Sequence, residues 1–453
     1  MEKRSMALQQ TTSLAWRSGT TERAPPCVRV AAMKHRSLLL ATLVGLIAPL
    51  GVAAFESPAE AQPHAEFPTL DRAIQLARAR ALVVNDAQGE LGVAHAQMVG
   101  ARASAFGNPY VDIQLEQGLA RNPTQQLQAI AYAYFPVDLT GQRGARIDEA
   151  NKLIKWREVG VNDARGIASG EAVASYGELV VGAARITDAT NGEQAARDEA
   201  RYFAGRLEAK DTTVYEKSLA DAEVARWVQS RAESQIRVSA ARARFTQVTG
   251  ITNVDSPPAN ASVAAPSLRG AWDDAFIARM VDRSPLVARL TAERSFWDAS
   301  VERYKSERMP PVAFELIGGR GDLGEGRIGG GVVVTFPVSR RYQGEIARAE
   351  QGRTFAVSRL ALYRSVVESR LRAARDAIVT VTKAIEELDQ AGMPALERAV
   401  SSSVEGFKTG KIEITRVLLA RRDLAIARGR RLDLLEAGWR AYADLTILSG
   451  ELP

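Results

Sequence analysis

Side chains able to carry chemistry are few and scattered in this chain. It holds three histidines and one cysteine in 453 residues; Cys27 and His35 lie near the N-terminus, leaving His64 and His95 beyond it. Metal ligation and nucleophilic catalysis need such groups at short, repeated spacings, and no HExxH, CxxC, phosphate-binding GxxxxGK[ST] or serine elbow occurs. Gly318-Gly319-Arg320-Gly321 and Gly329-Gly330-Gly331 are glycine-rich, but neither opens a helix after a buried strand, so neither reads as a phosphate cradle. Glu386, Glu387 and Asp389 fall in a charged helical stretch and read as solvated, while the methionines are too dispersed for a metal relay. The expectation is a protein that is not an enzyme and has no cofactor and no metal site. What remains is alternation: Val111, Ile113 and Leu115 on one face of a strand, with Asp112, Gln114 and Glu116 on the other. Val312, Phe314 and Leu316 alternate in the same way with Ala313 and Glu315. A strand of this kind fits a soluble sheet, or a barrel with lipid outside and water inside.

The elements that would carry these strands occur twice. Phe135-Pro136-Val137 and Phe336-Pro337-Val338 each close an apolar run and open a long, charged, alanine-rich helical segment. Pro109 and Pro310, each opening an alternating run, stand at the same separation as the two tripeptides. Further on, Tyr202-Phe203-Ala204-Gly205-Arg206 answers Gly406-Phe407-Lys408-Thr409-Gly410-Lys411, which aligns Gly205 with Gly410. Three collinear matches imply an internal two-fold repeat, each copy longer than a solenoid unit. In each copy the pattern predicts a helix, a hairpin and a very long helix pair. The first helix is capped at Thr69 and breaks near Gly100; long helices cover 141–205, with a weak point at Asn191-Gly192, and 214–248. About 60 helical residues span roughly 90 Å, more than a globular domain needs. In the second copy, 318–329 reads as a loop, Gly392-Met393-Pro394 as a weak point, and the last helix covers 414–448.

Composition is that of a globular chain, with 46% hydrophobic and 25% charged residues. Met33-Lys34-His35-Arg36, the apolar stretch 38–50 and Ala59-Glu60-Ala61 read as a signal peptide with its cleavage site, preceded by an upstream extension. Half of the formal net charge of +6 falls within residues 1–61, so the basic balance does not argue for nucleic acid. The expected organisation is 1–61 extension and signal peptide, 62–252 first repeat, 253–266 linker and 267–453 second repeat.

A signal peptide, a doubled helix–hairpin–long helix pair, the strand-ending Phe-Pro-Val, and the segment Gly410-Lys411-Ile412-Glu413-Ile414-Thr415-Arg416-Val417-Leu418-Leu419-Ala420 together resemble the TolC-type outer-membrane efflux protein family. The resemblance covers about residues 66–450. It implies a mixed α and β homotrimer in the outer membrane of a Gram-negative bacterium. Long antiparallel helices would form an α-barrel crossing the periplasm, and each subunit would give four strands to a 12-stranded transmembrane β-barrel. Val111, Ile113, Leu115, Val312, Phe314 and Leu316 would then meet outer-membrane lipid, while Asp112, Gln114, Glu116 and Glu315 line a wet lumen. Tyr110, Tyr132, Tyr134 and Phe336 would sit near the aromatic girdle. The implied partners are a periplasmic adaptor, meeting the tips at Gly205, Arg206, Leu207, Gly410, Lys411 and Ile412, and an inner-membrane pump. Asp211 falls where the family often has an acidic pore residue; the glycine alignment pairs it with Arg416, with Leu419 next inward, a departure from an acidic ring. The implied function is the passive exit duct of an efflux or secretion system for small molecules, metal ions or secreted polypeptides. The alternative is a soluble periplasmic coiled-coil adaptor or scaffold.

Overall fold

The computed structural model describes residues 67–453 apart from 104–106, 117–126, 139–140, 253, 255–256, 258–263, 265, 322, 337 and 340. The expected signal peptide with Cys27, His64, most of the 253–266 linker, the turn of the first hairpin and Pro337 lie outside the described residues.

The chain runs α1 (Leu70–Arg80), α2 (Leu82–Ala101), β1 (Tyr110–Glu116), β2 (Gln128–Val137), α3 (Gln142–Glu208) and α4 (Val214–Thr249). It continues as α5 (Asp274–Arg283), α6 (Pro285–Ser306), β3 (Val312–Arg320), β4 (Gly326–Val334), α7 (Gln343–Glu387), α8 (Met393–Lys408) and α9 (Ile414–Ser449). Starts and stops follow local chemistry. Thr69 accepts the Arg72 N–H at the head of α1, Asp273 does the same for Phe276 in α5, and Thr213 and Glu216 form a reciprocal capping box on α4. Gly250 and Gly450 close α4 and α9 in the left-handed conformation.

At 67 residues, α3 is about 100 Å long. It runs unbroken through Asn191-Gly192, where the sequence suggests an interruption. Gly192 is there for packing: a Cβ would stand 2.5 Å from the Trp227 ring of α4. The break expected near Gly100 falls instead at Ala81, whose extended backbone (ψ 140) separates α1 from α2. Gly100 lies in the last turn of α2, where a helix tolerates it. The weak point at Gly392-Met393-Pro394 corresponds to a π-helical turn, Leu388–Gly392, inserted between α7 and α8.

Helix on helix is the main packing mode. The largest core draws Ala164, Ala168, Ala172 and Val173 of α3 against Leu371 and Ile378 of α7 and Leu445 and Leu448 of α9. Small residues let α3 and α9 approach closely: a Cβ on Gly170 would lie 2.2 Å from Ile447 Cγ1 and 2.8 Å from the Ala443 carbonyl oxygen. Among the described residues no helix is long and apolar enough to cross a membrane.

The four strands make one antiparallel sheet in the order β1-β2-β3-β4, so the hairpins join through β2 and β3 and leave β1 and β4 as edges. The glycine-rich 318–329 stretch, expected as a loop, is mostly strand: β3 continues to Arg320 and β4 begins at Gly326. Backbone pairing there needs no side chains. β4 ends at Val334, so Phe336 follows the strand rather than closing it.

Candidate functional site

Residues paired across an antiparallel sheet point to the same face. The observed register therefore sorts every strand residue. One face carries Val111, Ile113, Leu115, Phe135, Phe314, Leu316, Ile328, Val332 and Val334, all exposed, with Val111 at 63% and Ile328 at 96%. The opposite face is built in rows. Tyr110, Tyr134, Glu315 and Gly331 form one row across the four strands, and Asp112, Tyr132, Ile317 and Gly329 the next. Gln114, Ile130, Gly319 and Arg327 follow, then Glu116 and Gln128. Asp112, Gln114, Glu116 and Glu315, read from the sequence as one wet face, do share a face.

The tyrosines do not lie where the sequence reading put them. Tyr110, Tyr132 and Tyr134 stand on the polar face beside Asp112 and Glu315, because even positions of β1 and β2 all point that way. Tyr110 stacks on Tyr134 with ring centroids 4.6 Å apart, and Tyr132 lies 6.3 Å from Tyr134. Tyr134 also stands directly opposite Glu315 in the β2–β3 register. The aromatic residues of the apolar face are Phe135 and Phe314, directly opposite each other in β2 and β3.

At the far end of the long helices, two turns come together. Phe203, 1% exposed, packs with Ala220, Ile414 and Val417, and Phe407 leans on the same cluster. Arg206 ties the turns further. Its Nε donates to Asp211 Oδ2 at 2.9 Å and its Nη2 to the Asp211 carbonyl at 2.7 Å, while the guanidinium lies 5.9 Å from the Phe407 ring centre. The Asp211 carboxylate holds the Arg206 guanidinium above the usual arginine range against the opposing cost of burial.

The structure changes the correspondence between the tips. α3 and α8 end at 208 and 408, and α4 and α9 begin at 214 and 414. The left-handed residue of each turn is Lys210 (φ 61) in the first and Gly410 (φ 73) in the second. Asp211 therefore answers Lys411, and Arg416 answers Glu216. Aligning the glycines misplaces the match because the turn repeats a backbone conformation, and here a lysine adopts it at one of the two sites. Gly205 lies within the last turn of α3, and Leu207 and Ile412 are half-buried rather than exposed anchors. Ile412 folds back over Gly406, where a Cβ would stand 2.5 Å from its Cδ1. The exposed apolar side chains at this end include Tyr202, Val214 (68%), Tyr215 (65%) and Leu419. Arg416 is exposed at the third position of α9, and Lys411 is exposed in the turn.

Between tip and sheet, charged groups face each other across helices. Arg421 reaches Glu199 at 2.6 Å, Arg431 grips Asp389 through both carboxylate oxygens, and Arg185 spans Asp433 and Glu436. A cavity bordered by Asp188, Gly192, Glu199, Trp227, Arg421 and Arg428 separates α3, α4 and α9, but these pairs already satisfy its charges. Burial pushes the Asp163, Asp188 and Glu199 carboxyls up, with Arg289, Arg428 and Arg421 respectively pulling them back. Among the described residues, no group of three or more His, Cys, Asp or Glu is placed to hold a metal ion.

Comparison with known proteins follows the same outline. No family model matches the chain. The cobalt-zinc-cadmium resistance protein CzcC of Cupriavidus metallidurans is 25% identical over 423 residues, which cover 89% of this chain and 99% of that protein. The Campylobacter jejuni CmeC outer membrane channel superposes with a TM-score of 0.69 at 14% identity, over 84% of this chain and 86% of that one. The outer membrane protein VceC of Vibrio cholerae superposes with a TM-score of 0.67 at 16% identity, over 85% and 97%. The chain is thus similar to CzcC along nearly its whole length and shares the fold of these outer membrane channels, in keeping with the resemblance to the TolC-type outer-membrane efflux protein family.

Proposed function

We propose that the chain is the outer-membrane exit duct of a tripartite efflux system, working as a homotrimer. The observation that carries this is the two-faced sheet with two free edges. Nine exposed apolar side chains on one face are costly in water, and unpaired edges at β1 and β4 are costly in lipid. Three subunits, each pairing its β4 with the next subunit's β1, would remove both costs by closing a 12-stranded barrel. The apolar face would then meet lipid, with Phe135 and Phe314 at its rim, and Asp112, Gln114, Glu116 and Glu315 would line water. The long helices would continue the duct through the periplasm.

The recurring element order, with α4 and α9 starting and ending at matching positions, supports an internal duplication of 62–252 and 267–453 joined by 253–266. A soluble scaffold has no use for the exposed apolar sheet face. Partners would be a periplasmic adaptor at the tips, contacting Gly205, Arg206, Leu207, Gly410, Lys411 and Ile412 and reaching the more exposed Val214 and Tyr215, and an inner-membrane pump that supplies the energy. Asp211, Arg416 and Leu419 would border the pore at this end. The name of the full-length relative supports divalent metal cations as cargo. No resident metal site is required for a duct that only passes what the pump delivers.

Two measurements test this. Detergent-solubilised protein should have the native mass of a trimer, and a cysteine pair placed on the β1 and β4 edges should cross-link subunits up to trimers and no further. Cells that keep the pump and adaptor but lose this chain should become sensitive to zinc, cobalt or cadmium salts. A monomer with no cross-links would remove the barrel; unchanged metal tolerance with an intact trimer would remove only the cargo.

A further inference from the structure

We propose that the two adjacent rows Tyr110–Tyr134–Glu315–Gly331 and Asp112–Tyr132–Ile317–Gly329 form a tyrosine–carboxylate collar at the base of the strand barrel. This collar selects for cations, so charge selection is made there rather than at the helix tips. The inference rests on the trimeric duct reading above and adds a selectivity-determining site to it.

Three observations carry it. The first is charge placement. The described strands hold five charged side chains: Asp112, Glu116, Glu315, Arg320 and Arg327. The three acids share the polar face, whereas Arg320 sits on the apolar face at the end of β3. Arg327 shares the polar face but is bound by Glu325 at 2.6 Å, near the turn. The half of the polar face nearest the long helices therefore carries Asp112 and Glu315 with no cation beside them.

The second is rigidity. Tyr110 and Tyr134 stack at 4.6 Å with planes 17° apart, and Tyr134 is the cross-strand partner of Glu315. On its other side Glu315 faces bare backbone, since a Cβ on Gly331 would lie 3.0 Å from its Oε2. The Asp112 carboxylate is likewise oriented by the Gln114 amide, which donates to Oδ2 at 3.0 Å. Carboxylates held in place around a passage keep their field directed into it, the arrangement that gives side-chain rings their selectivity.

The third is the state of the tips. Asp211 is engaged by Arg206, and Arg416 presents an exposed cation. Neither of these two pore positions offers a free carboxylate. A passing cation therefore meets carboxylates without a paired cation at the collar, and neither Asp211 nor Arg416 offers it one.

The test is ion selectivity of purified trimers in planar lipid bilayers under a KCl gradient. Native channels should reverse at a potential favouring K⁺. Asp112→Asn with Glu315→Gln, both isosteric, should lower the K⁺ over Cl⁻ permeability ratio by about threefold or more while conductance persists. The single substitutions should each give part of the shift, so the result does not depend on one variant folding. Asp211→Asn should move the ratio less than either. Channels of the double variant with the native reversal potential would overturn the collar and leave the duct reading standing. Native protein that forms no channel at all would overturn both.

Discussion

Replacing Arg206 by alanine should loosen the helix tips, and the structure gives the size of the effect. The ion pair with Asp211 involves a largely exposed carboxylate and is worth about 0.5 kcal/mol after solvent screening. The second donated bond, to the Asp211 carbonyl, adds about 1 kcal/mol. The contacts with Tyr202 and Phe407 at 5.8 and 5.9 Å add about 0.5 kcal/mol together, since both are partly solvated. The total is about 2 kcal/mol, or about a 30-fold change in the balance between closed and splayed tips in each subunit. Phe203, Ile414 and Val417 still hold the turns, so the long helices should remain folded. The assay is paired: open probability in planar bilayers, and the rate of trypsin cleavage near Lys210. Arg206→Ala should raise both, and Arg206→Lys should fall between, because an ammonium cannot bridge Asp211 in two places and stack on the rings. Native values of both quantities in Arg206→Ala would refute this account of the tip.

Other substitutions probe the helical body. Gly170→Ala should destabilise the α3–α9 seam by about 1–2 kcal/mol, overpacking offset in part by helix propensity; Ile447→Ala should partly rescue it, read as non-additive melting temperatures in a double-mutant cycle. Arg416 puts a positive charge at the positive end of α9, where its counterpart Glu216 completes a capping box. Arg416→Glu should therefore stabilise the tip by about 0.5 kcal/mol, seen as slower trypsin cleavage. Arg416→Asp should also shift the reversal potential if this side chain faces the lumen, and an unchanged potential would place it off the pore. For Asp163, burial raises the carboxyl pKa above its unfolded value, so the folded state holds the proton more tightly. Its contribution to stability then falls as pH rises from the unfolded pKa through the folded one. Asp163→Asn should accordingly gain melting temperature relative to the native protein as pH is raised, and a difference independent of pH would contradict the assignment.

Where patterning is a backbone property, the sequence carried it. Period-two alternation at Val111–Glu116 and Val312–Leu316 set the two faces of the sheet, and the cap at Thr69 marked a helix start. The same alternation already placed Tyr110 with Asp112, and the β1–β2 register adds Tyr132 and Tyr134 to that face; the expectation of a girdle treated aromatic residues as a class. Glycines misled twice. In 318–329 they suggested a loop, though strands pair through backbone groups. At the tips they suggested an alignment, though the repeated feature is a left-handed turn that Lys210 also adopts. Contacts between distant segments, such as Arg206 over Phe407 or Gly192 under Trp227, leave no local trace in the sequence. They arise only once the long helices lie side by side.

The claim at the centre of this account is that the sheet spans the outer membrane. A cysteine at Leu323, exposed in the turn between β3 and β4, tests it in a chain whose other cysteine, Cys27, is replaced by serine. Intact cells treated with a membrane-impermeant maleimide should be labelled at that site, because the turn would face the outside. Labelling that appears only after the outer membrane is opened would put the turn in the periplasm and contradict the transmembrane barrel.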